Sequence, residues 1–215
     1  MRMKPPQTWI PALLAFLLCL FLPVTAFAAA PDADWYCWQY GIDVATDYMS
    51  VMQGLCVNGD IAAGEEMERL RNLKIDLLEM QEAKVAFRDL YLLSKLIASE
   101  AGASWLSLEW KMAVGEVLLN RVASPEFPDT IEACVYDPGQ YSSVSTGAYQ
   151  YILPDCDSVI AATKLLCGER VLCDRSVVFQ SNFRQGEICL LLHDDYLGNT
   201  YFCKSAHPEL YNNNN

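Results

Sequence analysis

The chain has 215 residues, 53% apolar and 20% charged, with 15 Lys+Arg against 27 Asp+Glu and a net charge of −12. That length suits one domain with an appendage, and the apolar fraction excludes a disordered or collagen-like chain. The acidic balance argues against a nucleic-acid partner, because phosphate neutralisation supplies most of such affinity.

Residues 1–28 read as an address. Arg2 and Lys4 precede an uncharged apolar run from Trp9 to Leu22, Pro23 ends it, and Ala26-Phe27-Ala28 is a small-x-small cleavage pattern. The run is shorter than the roughly 20 residues of a membrane span. A secretory signal peptide is therefore expected, cut after Ala28 or Ala30, with the membrane met only through this leader. Its loss removes both of its basic residues, so 13 Lys+Arg remain against 27 Asp+Glu, a net of −14. Cys19 leaves with it. Eight cysteines stay: Cys37, Cys56, Cys134, Cys156, Cys167, Cys173, Cys189 and Cys203. An even number in an exported chain points to disulfides. Short loops close most readily, which suggests the sequential pairs Cys37–Cys56, Cys134–Cys156, Cys167–Cys173 and Cys189–Cys203, each contributing about 2–4 kcal/mol. No Cys-x-x-Cys occurs and His193 and His207 are the only histidines, so neither a metal centre nor a cofactor is expected.

Residues 29–60 form an aromatic, cysteine-bounded segment that carries Trp35, Tyr36, Trp38 and Tyr40. It reads either as a small disulfide-closed cap or as a carbohydrate-stacking patch. Residues 61–98 contain no proline and are rich in Glu, Leu, Met, Lys and Arg, which predicts helix throughout. Residues 61–87 are taken as a connecting helix that runs into the first helix of a domain spanning 88–206, with 207–215 as a tail. Leu90, Leu93, Leu96 and Ile97 face inward, and Gly102 is a helix stop. Glu100 then sits at a helix C-terminus, where the negative end of the helix dipole and burial both disfavour its ionised form. It is either a solvated helix-end glutamate or a group prepared as a general acid.

A second helix is expected over 107–122, with Trp110, Ala113, Val114, Val117 and Leu118 in one apolar stripe. Arg121 projects onto that stripe and must be paired or lie at the helix end. Glu109, Glu116 and Asn120 share a different face, which leaves Glu116 either solvent-exposed or facing a cleft. Ser124 to Thr130 is a rigid connection into a short helix ending near Tyr136, Asp137-Pro138-Gly139 is a turn, and Gln140 to Val144 reads as an exposed polar-aromatic segment. A third helix is expected over 157–167, capped by Asp157 or Ser158 and stopped by Gly168. Val177 to Gln180 and Asn199 to Cys203 read as short strands.

Several strings occur in a diagnostic order: Ser99-Glu100-Ala101; Ala113-Val114-Gly115-Glu116-Val117-Leu118-Leu119-Asn120-Arg121-Val122; Ser124-Pro125-x-Phe127-Pro128-x-Thr130-Ile131; Gly139-Gln140-Tyr141; Phe179-Gln180; and Tyr201-Phe202-Cys203-Lys204. Together they resemble the SleB-like cell-wall hydrolases, the spore cortex-lytic enzyme family, over about residues 88–206. The resemblance implies a mainly α (α+β), lysozyme-like catalytic domain, here preceded by a helical segment, that acts on peptidoglycan in the cell wall or spore cortex. It implies Glu100 as the catalytic acid, and cleavage of the β-1,4 bond after N-acetylmuramic acid by lytic-transglycosylase chemistry. The family often has arginine after the Glu-Ala pair, where this chain has Gly102, and the following loop is slightly longer and carries Trp105.

On that reading Trp105 or other apolar neighbours keep Glu100 protonated. Gln140 and Tyr141 line one wall of the cleft and Phe179 and Gln180 the other, with ordinary packing as the alternative role for Tyr141 and Phe179. Glu116 is the candidate second carboxylate, which would permit simple hydrolysis. Two other classes compete with this glycosidase. One is a wall peptidase or amidase built on Cys189 and His193, disfavoured by the even cysteine count. The other is a non-catalytic peptidoglycan-binding module.

Overall fold

The computed structural model of the protein describes residues 31–40, 61–83 and 85–211. The leader, Cys56 and residues 212–215 lie outside them. Helix α1 (Ala33–Gln39) starts at Asp32, whose side chain accepts the Trp35 N–H at 2.9 Å. Tyr36 is buried, and the Tyr40 hydroxyl donates to the Pro154 carbonyl at 2.7 Å. These aromatic residues mostly pack inward and leave Trp38 exposed.

The helix expected to run unbroken over 61–98 is two helices, α2 (Ile61–Glu82) and α3 (Phe87–Ala101). Leu70, Leu73, Leu77 and Met80 of α2 are fully buried in the main core. Each such side chain contributes roughly 1.5–3 kcal/mol. The break between the helices lets α2 lay this stripe on the core while α3 takes its own course through it. Arg69 of α2 also pairs with Asp157.

Helix α4 (Leu108–Val122) begins at Ser107, whose hydroxyl accepts the Trp110 N–H at 3.2 Å. The short helix α5 (Ile131–Val135) is capped by Thr130. Gly139 follows with φ +84, a left-handed position where glycine avoids the Cβ penalty. The segment expected to be exposed is a single turn, α6 (Ser142–Ser145), and Tyr141 just before it is buried. Helix α7 (Cys156–Leu166) is capped by Asp155, two residues before Asp157 and three before Ser158, the residues expected for that role. Strands β1 (Val177–Ser181), β2 (Ile188–Asp194) and β3 (Gly198–Lys204) form an antiparallel sheet in the order β1-β3-β2. The mainly α, α+β class is as expected. Strand β2 was not anticipated.

Helix α4 sits among α3, α7, α5 and β1. At Gly115 a Cβ would lie 2.6 Å from Leu165 Cδ1 and 2.7 Å from Ile97 Cδ1, so glycine lets α3, α4 and α7 approach this closely without displacing either side chain. Beyond the first turn the polar side chains of α4 are buried as well, and they bond three other segments. Lys111 Nζ pairs with Asp155 at 3.3 Å. Glu116 Oε2 accepts the N–H groups of Val171 and Leu172 at 2.7 and 2.9 Å. Asn120 donates to the Val177 carbonyl at 3.0 Å, and Arg121 Nε to the Val178 carbonyl at 2.7 Å.

Glu116 is therefore neither solvent-exposed nor directed at a cleft, and it is corrected to a structural group that ties the loop before the sheet to α4. Replacing it with alanine leaves two inward N–H groups unpaired. We expect Glu116→Ala to lower unfolding free energy by about 2–4 kcal/mol in urea titrations, a loss that a groove-facing carboxylate would not produce.

Candidate active site

Glu100 occupies the last turn of α3 and opens into a solvent-accessible groove. Trp110 and Val114 of α4 line its helical side, and Gln180, Ser181, Asn182 and Thr200 line its sheet side. Glu100 Oε1 accepts hydrogen bonds from Ser143 Oγ at 3.2 Å and Ser99 Oγ at 3.4 Å. Water reaches the side chain, but the surrounding walls displace much of the carboxyl's hydration. That desolvation raises its pKa above the ordinary value. The hydrogen bonds from Ser143 and Ser99 and the charge of Arg121 act in the opposite direction without reversing it. Such a balance keeps a carboxyl protonated to higher pH than usual and still able to ionise.

Arg121 is 4% exposed. Its guanidinium lies 5.2 Å from the ring centroids of both Phe127 and Tyr141, a double cation–π arrangement. Burial pushes the Tyr141 hydroxyl up to about 12, against the lowering effect of Arg121. Tyr141 and Ser143 flank the start of α6, so the same segment packs on Arg121 and bonds Glu100.

The other expected site residues divide. Gln180 faces Glu100 across the groove, and its buried Oε1 has no hydrogen-bond partner. Tyr141 is a buried support under Arg121 rather than a stacking surface. Phe179 meets Phe127 edge-on at 6.3 Å and is outside the groove lining. Gln140 closes the preceding turn, its N–H donating to the Asp137 carbonyl at 3.3 Å, and is also outside the lining. Trp105 does not shield Glu100; its Nε1 donates to Asp194 Oδ2 at 3.2 Å, at the far end of the β2–β3 hairpin. Trp110 and Val114 supply the apolar wall instead. Gly102 stands where an added Cβ would lie 2.2 Å from the Ala98 carbonyl oxygen, which accounts for the absence of arginine there.

The residues missed in the sequence are Ser143, Ser181, Asn182 and Thr200. Each lies within two residues of a string already singled out, so following the Gly139-Gln140-Tyr141 and Phe179-Gln180 segments onward would have reached the first three.

The cysteine expectations are corrected. Cys134, Cys156, Cys167, Cys173, Cys189 and Cys203 form no disulfide, and Cys134 Sγ donates instead to the Pro128 carbonyl at 2.9 Å. Burial pushes the Cys134 and Cys156 thiols up to about 11, the character of packed thiols. The Cys37–Cys56 pair lies partly outside the described residues. Cys189 and His193 both stand on β2, four residues or about 13 Å of strand apart. His193 Nδ1 is 2.7 Å from Asn199 Oδ1. No nucleophile–base pair forms between them.

Removing the Ser143 hydroxyl deletes a hydrogen bond that favours ionised Glu100. We expect Ser143→Ala to raise the Glu100 pKa further, read directly from the side-chain carboxyl carbon in an NMR titration.

The structure is similar to the crystal structure of the catalytic domain of the Bacillus cereus SleB protein, with 23% identity, coverage of 54% of this chain and 89% of that chain, and a TM-score of 0.43. No curated protein matches the sequence significantly. Residues 107–187 match the family described as Cell Wall Hydrolase. That segment runs from the cap of α4 through β1 and includes Ser143 and the Gln180 wall, while Glu100 precedes it by seven residues. Over this segment the chain is similar to the Cell Wall Hydrolase family.

Proposed function

We propose that the protein is a peptidoglycan-cleaving glycosidase that cuts the β-1,4 bond between N-acetylmuramic acid and N-acetylglucosamine, with Glu100 as its acid and base. The observation that carries this reading is one carboxyl with a raised pKa, set in a groove of polar side chains with one apolar wall. The family match supports the cell wall as its target. The leader sequence supports export, and with it action in the cell wall or spore cortex.

Inverting and retaining glycosidases pair the acid with a second carboxylate across the scissile bond. Among the described residues no second carboxylate lines the groove, and Glu116 is held by backbone N–H groups. A lytic transglycosylase needs only one. Glu100 donates its proton to the glycosidic oxygen as the C1–O bond breaks. The sugar's own C6 hydroxyl then attacks C1, and its proton passes to the Glu100 carboxylate. The acid is regenerated, no water is consumed, and a 1,6-anhydro end is formed. The wall of Gln180, Ser181 and Asn182 supplies amide and hydroxyl partners for sugar hydroxyls and acetamido groups.

With purified peptidoglycan, Glu100→Gln is expected to lose muropeptide release by roughly 10²–10⁴-fold, and wild-type products to carry anhydro rather than reducing ends by mass spectrometry. Because the reaction needs the protonated acid, release should fall as pH rises through the raised Glu100 pKa. The fall should shift to higher pH in Ser143→Ala.

A further inference from the structure

Two large aromatic side chains at the hairpin end take no part in the groove chemistry. Trp105 is 60% exposed and Tyr196 86% exposed, yet their positions are held. The rings meet edge to face, with centroids 6.2 Å apart and planes at 87°. One carboxylate organises both. Asp194 Oδ2 accepts the Trp105 indole N–H at 3.2 Å, while Oδ1 accepts the backbone N–H groups of Tyr196 and Leu197 at 3.0 and 2.8 Å. Gly198, in the left-handed region at φ +78, closes the turn opposite Asp194. This is the short hairpin loop in which glycine is favoured at the left-handed position.

The pair is continuous with the groove on two sides. Thr200 lines the groove and lies two residues from Gly198 on β3, about 7 Å along the strand and on the scale of a sugar ring or two. On the other side, Trp105 follows Glu100 by five residues, in the loop that leaves α3. A polymer lying along the sheet wall past Glu100 therefore meets these rings next. Fixed, exposed aromatic faces lose little conformational entropy on binding, and they suit the C–H faces of pyranose rings. The chain is strongly acidic, so attraction of an anionic polymer does not explain their placement.

We propose that Trp105 and Tyr196 form a distal subsite that stacks a hexosamine ring of the glycan strand, beyond the sugars held at Glu100. The subsite rests on the glycosidase reading above, and it assigns Asp194 as the positioning residue for both rings. It makes the protein sensitive to strand length.

The test measures affinity of Glu100→Gln protein by calorimetry for the disaccharide and the hexasaccharide of purified glycan strands. The hexasaccharide should bind more tightly. Adding Tyr196→Ala, which removes an exposed ring and leaves the core intact, should weaken hexasaccharide binding roughly three- to tenfold and leave the disaccharide unaffected. Tyr196→Trp should restore the difference. Unchanged hexasaccharide affinity in Tyr196→Ala, with wild-type muropeptide release present, overturns the subsite alone. Absence of both release and sugar binding overturns the glycosidase reading and the subsite together. Self-association that Tyr196→Ala abolishes, without sugar binding, identifies the rings as a contact between copies and likewise overturns the proposal.

Discussion

A helix enclosed along most of its length cannot leave its inner polar side chains to solvent, and α4 beyond its first turn is such a helix. Lys111, Glu116, Asn120 and Arg121 are all buried along it. Burying a charge or an amide without partners costs several kcal/mol, so each must find a fixed acceptor or donor in whatever surrounds the helix. They do so on three separate pieces of chain: the α7 cap, the loop at Val171 and Leu172, and two successive carbonyls of β1. Hydrophobic packing alone is non-directional. These bonds are directional, and they fix the position of the sheet relative to the helices.

The groove follows from that arrangement. Its helical side is the end of α3 with the first two turns of α4, and its sheet side is the end of β1 with part of β3. Gly115 sets how closely α3 and α7 approach α4, and the Asn120 and Arg121 bonds set where β1 lies. Glu100 and Gln180 face each other because both of their elements are referred to the same central helix. None of the four buried polar residues of α4 lines the groove. They hold its walls apart and leave the chemistry to residues on the rim.

The same enclosure explains what could be read from the sequence. The α4 stripe of Trp110, Ala113, Val114, Val117 and Leu118 was legible because period-3.6 patterns report burial of one face. The rule assumes that the remaining face is wet, which is true of α2 and false of α4. Glu116 was therefore assigned to solvent or a cleft when its partners are backbone N–H groups 55 and 56 residues away. Glu100 was legible because helix-end position and the Gly102 stop are local. Strand β2 was not, since its residues are largely exposed or half-buried and its apolar run Ile188 to Leu192 shows no alternation. Cysteine parity misled for a related reason. Counting thiols says nothing of whether their Cβ vectors converge, and Cys134 is turned toward a carbonyl instead.

Arg121 links the scaffold to the chemistry. Its Nε is committed to β1, yet its guanidinium lies 5.2 Å from the ring centroids of both Phe127 and Tyr141, and its charge opposes the desolvation of Glu100. Desolvation alone would leave Glu100 a reluctant carboxylate that donates a proton but poorly accepts one back. A one-carboxyl mechanism needs both steps from the same oxygen pair, so the acid must not be pushed too far. The Ser143 and Ser99 hydroxyls at Oε1, together with the smaller effect of the Arg121 charge, limit the rise while keeping its direction. On the proposed one-carboxyl mechanism, the arginine that anchors the sheet thereby also adds to the restraint that the Ser143 and Ser99 hydroxyls place on the rise of the Glu100 pKa.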